Sequence, residues 1–251
     1  MWIKQFNWAV QDNRKQFALL IDPDKATATS LDVSLSLAEN SGVDFFLVGG
    51  SILINGNMGH TIDLIRERSE KPIVLFPGSP KQLSPKADAL LLLSVLSGRN
   101  PDMLIGHHVK AAQQIKQSGL ELMPTGYLLI DGGKTAAVNK VSNTSPIAFT
   151  DIDTAVATAL AGQQLGMTSI YLEAGSGALN TVPLKMISKV KEDIHIPLWV
   201  GGGIKTAEQA FDIAAAGADV VVVGNILETY PERMTDMVNA VHSFNVKQQP
   251  I

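Results

Sequence analysis

Short apolar runs of β-type residues recur eight times along the chain of 251 residues, and longer stretches of helical character separate them. Each run is continuously apolar rather than alternating, which is typical of strands in a parallel sheet that is buried on both faces. The intervals leave room for a crossover helix between successive strands. The predicted strands are residues 17–21, 44–48, 72–76, 89–93, 127–130, 169–173, 197–200 and 219–223.

The junctions that lead into these runs are also similar to one another. The stretches SGVDFF, KADALL, LGMTSIY and AGADVVVV are each predicted to end a helix and begin a strand, three of them through Gly42, Gly166 and Gly217. Glycine just beyond a helix end can adopt the left-handed cap conformation. Eight such β-then-α units within about 250 residues predict a single (β/α)8 TIM barrel domain over residues 1–251. An open, doubly wound sheet is the structural alternative.

Composition excludes several classes of function. The chain has 20 Lys plus Arg against 24 Asp plus Glu, a net charge of −4, and no Cys. Without a basic cluster, we expect no nucleic acid partner. The absence of Cys fits a reducing compartment and excludes Cys-ligated metals. No leader and no run of roughly 18 apolar residues is found, so we expect a cytoplasmic protein without a transmembrane span.

Small residues follow the last three predicted strands, at the end of a barrel where chemistry takes place. AGSG follows strand six, GGGIK follows strand seven, and Gly224 with Asn225 follows strand eight. Such residues let backbone N–H groups approach a phosphate, and a helix beginning after each turn would direct its positive end toward the same place. These turns therefore predict a phosphate site, although each glycine taken singly also suits a tight turn.

Glu173 lies at the tip of strand six, directly before the small residues. A carboxylate beside an anion site is suited to accept hydrogen bonds from neutral hydroxyls of a phosphorylated polyol, or to take a proton from one. The other interpretation is a helix-capping or ion-paired glutamate. Tyr171 points to the same side of the strand and either contributes a hydroxyl or fills the barrel.

Acidic residues mark the opposite side of the predicted barrel mouth. Asp22 and Asp24 follow strand one, and Ser51 follows strand two. Carboxylates with an additional oxygen suit a Mg²⁺ ion that is completed by phosphates of a substrate. The same DPD sequence is also a good helix cap, so a structural role is the alternative.

Taken together, these motifs closely resemble the geranylgeranylglyceryl phosphate synthase family. The resemblance rests on IDPDK, VGGS, YLEAGSG, VGGGIK and VVGN in this order, and it extends through FPGS, SGRNP and PTGYLLIDGGKTAAVNKVSNTSPI. It implies a Mg²⁺-dependent prenyltransferase of ether phospholipid biosynthesis. Such an enzyme joins a long-chain prenyl diphosphate, expected to be geranylgeranyl diphosphate, to the C3 hydroxyl of sn-glycerol 1-phosphate.

The resemblance also assigns roles to residues of this sequence. Asp22 and Ser51, with Asp24 in addition, would bind Mg²⁺, and Glu173 would accept the proton of the attacking hydroxyl. It further implies peripheral membrane contact and a homo-oligomer. The residues implied to hold glycerol 1-phosphate are Tyr171, Leu172, Glu173, Ala174, Gly175, Ser176, Gly177, Gly202, Gly203, Gly224 and Asn225.

One position departs from part of that family. A branch of it carries a substrate-binding lysine two residues before the strand-one aspartate, where this chain has Leu20. Lys25 and Lys134 are candidates by charge to replace it, although each singly is more typical of a solvated surface lysine.

Several features leave alternatives open. The stretch 130–150 is long enough to form a lid or a binding wall, and residues 101–105 and 127–129 are candidate walls for a prenyl groove. His107 and His108 are more typical of helix-surface or packing residues than of catalytic ones. The competing functions are a phosphosugar or thiamine-phosphate type of barrel enzyme and a non-catalytic barrel that binds a cofactor such as FMN.

Overall fold

The computed structural model describes residues 1–51, 53–134 and 142–246, and its strands form a closed parallel barrel, which confirms the predicted fold class. Strands that follow one another in the chain pair with each other, and the last pairs with the first. All loops that follow the strands therefore meet at one end of the barrel. The strands are β1 (Gln16–Ile21), β2 (Phe45–Gly50), β3 (Ile73–Pro77), β4 (Ala89–Val95), β5 (Glu121–Leu129), β6 (Ser169–Glu173), β7 (Leu198–Gly201) and β8 (Val220–Val223).

Helices cover the outside of the barrel and its amino-terminal end. A π-helical turn at Asp102–Gly106 leads into α4, and a 3-10 turn at Pro231–Arg233 leads into α9. In the part of the chain that the structure describes, no helix combines the length and the apolar character that crossing a membrane requires. The helices are α1 (Trp2–Gln11), α2 (Ala28–Ser41), α3 (Met58–Arg66), α4 (His107–Ser118), α5 (Ile152–Gln164), α6 (Leu184–Asp193), α7 (Ala207–Ala215), α8 (Asn225–Thr229) and α9 (Met234–Val246).

The segment 78–88 between β3 and β4, every residue of which is described, contains turns and no helix. The prediction that KADALL ends a helix is therefore wrong. Pro80 and Pro85 lack the N–H that a helix interior needs, and Gly78 has a low helix propensity. Gly78 instead donates its N–H to the carbonyl of Gly50 at 3.1 Å and to Oε1 of Gln82 at 2.9 Å. This segment consequently packs against the loop that follows β2.

The other three predicted junctions are confirmed. Gly42 caps α2 in the left-handed conformation, with φ +83°, and the chain enters β2 three residues later. Gly166 and Gly217 also have positive φ and lie between a helix and the next strand. Strand β5 begins at Glu121, six residues before its predicted start, and its Pro124 pairs with Leu92 of β4.

Aromatic side chains close the amino-terminal end of the barrel. Phe6 of α1 lies 5.2 Å from Trp199 of β7, and Trp2 lies 5.3 Å from Phe45 of β2, measured between ring centroids. Each of these four side chains is at most 7% exposed. Helix α1 therefore plugs the end of the barrel that lies opposite the loops following the strands.

Candidate active site

The carboxyl-terminal ends of the strands surround a cavity of about 470 Å³, here called the polar cavity. Its walls come from the loops after β1, β2, β6, β7 and β8, so residues predicted from opposite sides of the mouth do meet there. The predicted site residues that line it are Asp22, Asp24, Ser51, Tyr171, Glu173, Gly175, Ser176, Gly177, Gly202, Gly203, Gly224 and Asn225.

Glu173 is the last residue of β6, and its side chain points into the barrel. It is only 7% exposed, and its Oε1 accepts a hydrogen bond of 2.7 Å from the backbone N–H of Gly175. Burial raises the pKa of Glu173 to about 7, against the opposing effects of the Gly175 hydrogen bond and of the Tyr171 hydroxyl. A carboxylate with this pKa both holds and releases a proton near neutral pH, as a general base must.

Aromatic rings form the floor beneath Glu173. The ring of Tyr171 stacks against Phe76 at 5.2 Å and against Tyr127 at 5.5 Å. The hydroxyl of Tyr171 is buried and has no hydrogen-bond partner of normal geometry among the described residues. Burial, followed by the charge of Glu173, raises the pKa of Tyr171 well above its ordinary value, so this hydroxyl stays protonated. Tyr171 is therefore a neutral neighbour of the carboxylate.

The turn after β7 approaches the tip of β6 closely. Gly202 has φ +85°, and a Cβ at this position would collide with Oε1 of Glu173 and lie 2.6 Å from the backbone N of Gly175. Only glycine fits there, both for its φ and for the space it occupies. The turns after β6 and β7 thus bring backbone N–H groups and the carboxylate of Glu173 to the same place.

A side-chain hydrogen bond connects the last of these turns to the first. Ser176 donates its hydroxyl to Oδ1 of Asn225 at 3.1 Å. Of the three helices expected to direct their positive ends toward this place, α8 begins directly at Asn225, whereas α6 begins at Leu184 and α7 at Ala207, several residues after the glycines. An anion held here would be bound by the N–H groups of the turns rather than by three helix dipoles.

Leu172 and Ala174 differ from the other predicted residues of this stretch. Side chains alternate along a strand, so Tyr171 and Glu173 face the barrel interior while their neighbours face the helices. Leu172 and Ala174 are buried in the layer between barrel and helices, and the N–H of Ala174 donates to the carbonyl of Gly201. Their side chains consequently do not face a ligand in the polar cavity.

Acidic and hydroxyl groups lie on the β1 and β2 side of the polar cavity. The Asp22 carboxylate lies close to Gly50, because a Cβ added to Gly50 would be 3.7 Å from Oδ1 of Asp22. Ser51 is the residue that follows Gly50. Among the described residues, no group of three or more His, Cys, Asp or Glu side chains converges as a metal-binding cluster. Any ion here would therefore have few protein ligands.

Asp24 has a structural task that its sequence position did not reveal. Its Oδ1 accepts hydrogen bonds from the backbone N–H groups of Ile54 at 3.1 Å, Asn55 at 2.8 Å and Gly56 at 2.5 Å. These donors, that of Ile54 first, hold the pKa of Asp24 below its usual range. The carboxylate of Asp24 thus fixes the loop between β2 and α3, and its metal ligation stays a prediction.

Two lysines line the polar cavity among the described residues, Lys25 and Lys205. Lys25 Nζ contacts the carboxylate of Glu228 at 2.9 Å, and Lys205 Nζ donates to the carbonyl of Leu179 at 3.2 Å. Lys134 is exposed and does not line this cavity. The sequence analysis assigned a role neither to Lys205, the last residue of GGGIK, nor to Glu228, which no local motif marks.

A second, apolar cavity of about 90 Å³ adjoins the polar one, and Phe76 and Tyr127 line both. Met103 contributes to its wall, in agreement with the predicted wall at 101–105. His108 also lines it, and its Nε2 lies 3.1 Å from the hydroxyl of Ser94. Residues 135–141 of the predicted lid lie outside the described residues. Leu90, Leu91, Leu92 and Leu93 of β4 complete the apolar character of this space.

Comparison with known proteins connects this geometry to one family. Residues 10–242 match the PcrB family. The chain is 45% identical over 232 residues to geranylgeranylglyceryl phosphate synthase of Spirosoma linguale, which covers 92% of this chain and 93% of that protein. A protein of the same name from Chitinophaga pinensis is 45% identical over 229 residues, 91% of each chain.

A solved structure superposes along almost the whole chain. It is (S)-3-O-geranylgeranylglyceryl phosphate synthase from Thermoplasma acidophilum in complex with its substrate sn-glycerol-1-phosphate. The identity is 34%, the TM-score is 0.88, and the alignment covers 96% of this chain and 98% of the other.

Proposed function

The chain belongs to the PcrB family. On that premise we propose that this prenyltransferase transfers a prenyl group to the C3 hydroxyl of sn-glycerol 1-phosphate, and that geranylgeranyl is the preferred prenyl group. The products are prenylglyceryl phosphate and diphosphate. The observation that carries the proposal is the position of Glu173, whose buried carboxylate lines the polar cavity together with the glycine turns and with Phe76 and Tyr127, two rings that also line the apolar cavity.

Glycerol 1-phosphate occupies the side of the polar cavity formed by β6, β7 and β8. Its phosphate is held by backbone N–H groups of the turns at Ser176 and Gly177 and at Gly202 and Gly203, and by the Ser176 and Asn225 side chains, while the N–H of Gly175 stays with Glu173. This placement leaves the hydroxyl end of the substrate next to Glu173. Binding the nucleophile in a fixed orientation removes much of the entropic cost of the reaction.

Glu173 accepts the proton of the C3 hydroxyl. As the O–H bond breaks, the oxygen forms a bond to C1 of the prenyl group, and the bond from C1 to the diphosphate oxygen breaks. Diphosphate leaves with the electron pair, and the proton remains on the Glu173 carboxylate. The pKa of about 7 makes this carboxylate a sufficiently strong base near neutral pH.

The diphosphate occupies the β1 and β2 side, and a Mg²⁺ ion fits the groups found there. Asp22 and Ser51 provide hard oxygen donors, and so small a set suits an ion that keeps several waters and takes phosphate oxygens. When bound, Mg²⁺ would neutralise charge on the leaving group. Asp24 would join through Oδ2, which shares the N–H of Ile54, because its Oδ1 accepts the backbone hydrogen bonds of Ile54, Asn55 and Gly56.

The prenyl chain extends from the diphosphate into the apolar cavity. Phe76 and Tyr127 line both cavities, so a chain attached to a diphosphate beside Asp22 passes these rings. The rings and the leucines of β4 provide the apolar surface that favours a hydrocarbon tail over water.

A product assay tests the proposal. Purified protein is incubated with labelled C15, C20 or C35 prenyl diphosphates and with either enantiomer of glycerol phosphate, with and without Mg²⁺. We expect prenylglyceryl phosphate from the sn-1 enantiomer in the presence of Mg²⁺, most rapidly with the C20 donor. Absence of an ether product with every donor, or a bound flavin in a yellow preparation, would contradict the assignment.

A further inference from the structure

We propose that Lys25 binds the diphosphate of the donor substrate and that Glu228 holds Lys25 in place until the diphosphate displaces it. The inference rests on the proposed function, because it identifies the cation that meets the donor in this chain. It concerns an exchange of partners: the ion pair of Lys25 with Glu228 gives way to an ion pair of Lys25 with the diphosphate.

Lys25 lies between two acidic side chains of the polar cavity, Glu228 and Asp22. Its Nζ lies 2.9 Å and 3.2 Å from the two carboxylate oxygens of Glu228, and 3.7 Å from Oδ2 of Asp22. Asp22 is the residue to which we assign the metal with its diphosphate. The ammonium group therefore lies within one short side-chain movement of the place where the leaving group is expected.

The described side chains of the polar cavity include more acidic than basic ones. Its described acidic side chains are Asp22, Asp24, Glu173 and Glu228, whereas Lys25 and Lys205 are its described basic ones. Lys205 belongs to the loop after β7, on the side of the glycine turns, and donates to the carbonyl of Leu179. Lys25 is thus the described cation on the side of β1 and β2, where a diphosphate needs compensation of several negative charges.

The ion pair of Lys25 with Glu228 is open to solvent. The Lys25 and Glu228 side chains are 47% and 30% exposed, and an ion pair this open to solvent is weak. A multiply charged diphosphate attracts the ammonium more strongly than a single carboxylate does at the same distance, because the Coulomb energy grows with the charge. Both side chains also line a further cavity of about 310 Å³ between β1, α2 and α8, so there is open space on either side of the pair. Exchange requires no repacking of buried atoms.

Leu20 explains why such an arrangement is needed. This apolar side chain lines both the polar cavity and the further cavity at the end of β1. It offers no charge to a phosphate. The cation is instead provided from the loop five residues later, by Lys25.

Removing the charge of Glu228 distinguishes an exchange of partners from a fixed ion pair. If the ion pair only fastened α8 to the loop after β1, removing either charge would loosen the same contact and weaken ligand binding in both cases. If Glu228 competes with the diphosphate for Lys25, removing its charge strengthens diphosphate binding. The two variants then act in opposite directions.

Calorimetric titration with inorganic diphosphate in the presence of Mg²⁺ tests this directly. We expect Lys25→Met to weaken binding by about tenfold and Glu228→Gln to strengthen it by about threefold. The double variant should bind as weakly as Lys25→Met alone. Lys116→Met, on the exposed surface of α4, is the control and should leave the affinity unchanged.

Steady-state kinetics provide the second readout. In Lys25→Met the KM for the prenyl diphosphate should rise while the KM for glycerol phosphate stays constant, and Lys25→Arg should restore donor binding. Weakened or unchanged diphosphate binding in Glu228→Gln would overturn the exchange, and so would wild-type binding in a folded Lys25→Met. Because the titration needs no prenyl transfer, it separates failure of this inference from failure of the proposed function.

Discussion

The most informative single residue is Glu173, because its pKa decides when it can act as a base. Burial raises that pKa to about 7, so at pH 6 the carboxyl is mostly protonated and at pH 8 mostly ionised. A base works only in its ionised form. We expect kcat/KM for glycerol phosphate to rise about tenfold per pH unit below about 7 and to level off above it.

This pH profile needs a control, because the substrate phosphate also titrates. Calorimetric titration provides the affinity for glycerol phosphate at each pH. Dividing kcat/KM by this affinity removes the effect of pH on substrate binding and leaves its effect on the reaction of the bound substrate. A profile that is flat from pH 5.5 to 8.5 after this correction would show that Glu173 does not transfer a proton in the reaction.

The turn after β7 belongs to the proposed phosphate site and leaves no room for a side chain at Gly202. Gly202 and Gly42 have nearly the same φ, +85° and +83°, but a Cβ at Gly202 would collide with Glu173 whereas a Cβ at Gly42 meets nothing within 4 Å. Backbone strain should cost each Ala variant about 1–2 kcal/mol of unfolding free energy, and Gly202→Ala should lose more because its Cβ also collides with Glu173. Only Gly202→Ala should also weaken glycerol phosphate binding, by about tenfold or more.

Gly42→Ala is the matched control in that comparison, since it introduces the strain without the collision. Affinity is measured by titration and stability by denaturant unfolding of the same preparations. Equal affinities in the two variants would show that the turn after β7 does not hold the phosphate.

Individual elements also show how far the sequence predicts the site. Glu173 and the glycine turns were predictable because each directly follows an apolar run, and strand ends share one face of a barrel. The side chains of Leu172 and Ala174 face the helices, which a motif alone does not show, and contact of these two residues with the substrate stays a prediction. No helix forms between β3 and β4 because Pro80 and Pro85 interrupt this segment. The similarity of KADALL to the other three junctions concealed their effect in the sequence analysis.

At the scale of the whole molecule, the two ends of the barrel have different tasks. Phe6 is 1% exposed and packs between Phe45 and Trp199 at the end opposite the polar cavity. Phe6→Ala should lower the unfolding free energy by about 3–5 kcal/mol. It should leave KM values unchanged at a temperature where the variant is folded. Denaturant unfolding and steady-state kinetics check both parts, and a KM that changes with Phe6 would contradict this separation.

Contacts across the closure of the barrel were beyond sequence reasoning. Glu228 and Lys25 are 203 residues apart and meet only because β8 pairs with β1. Phe76 reaches the floor beneath Glu173 in a similar way, from β3 to the ring of Tyr171 on β6. The apolar runs predict which strands exist, but the side chains that share the interior depend on the register of the closed sheet.

The central claim is that Glu173 removes the proton from a glycerol phosphate already held by the glycine turns. It is tested most directly in Glu173→Gln, by titrating sn-glycerol 1-phosphate and then measuring a single turnover with saturating prenyl diphosphate. The amide keeps the shape of the side chain but cannot accept the proton. We predict unchanged affinity and a single-turnover rate lower by at least about 100-fold. A wild-type rate in this variant would contradict the claim.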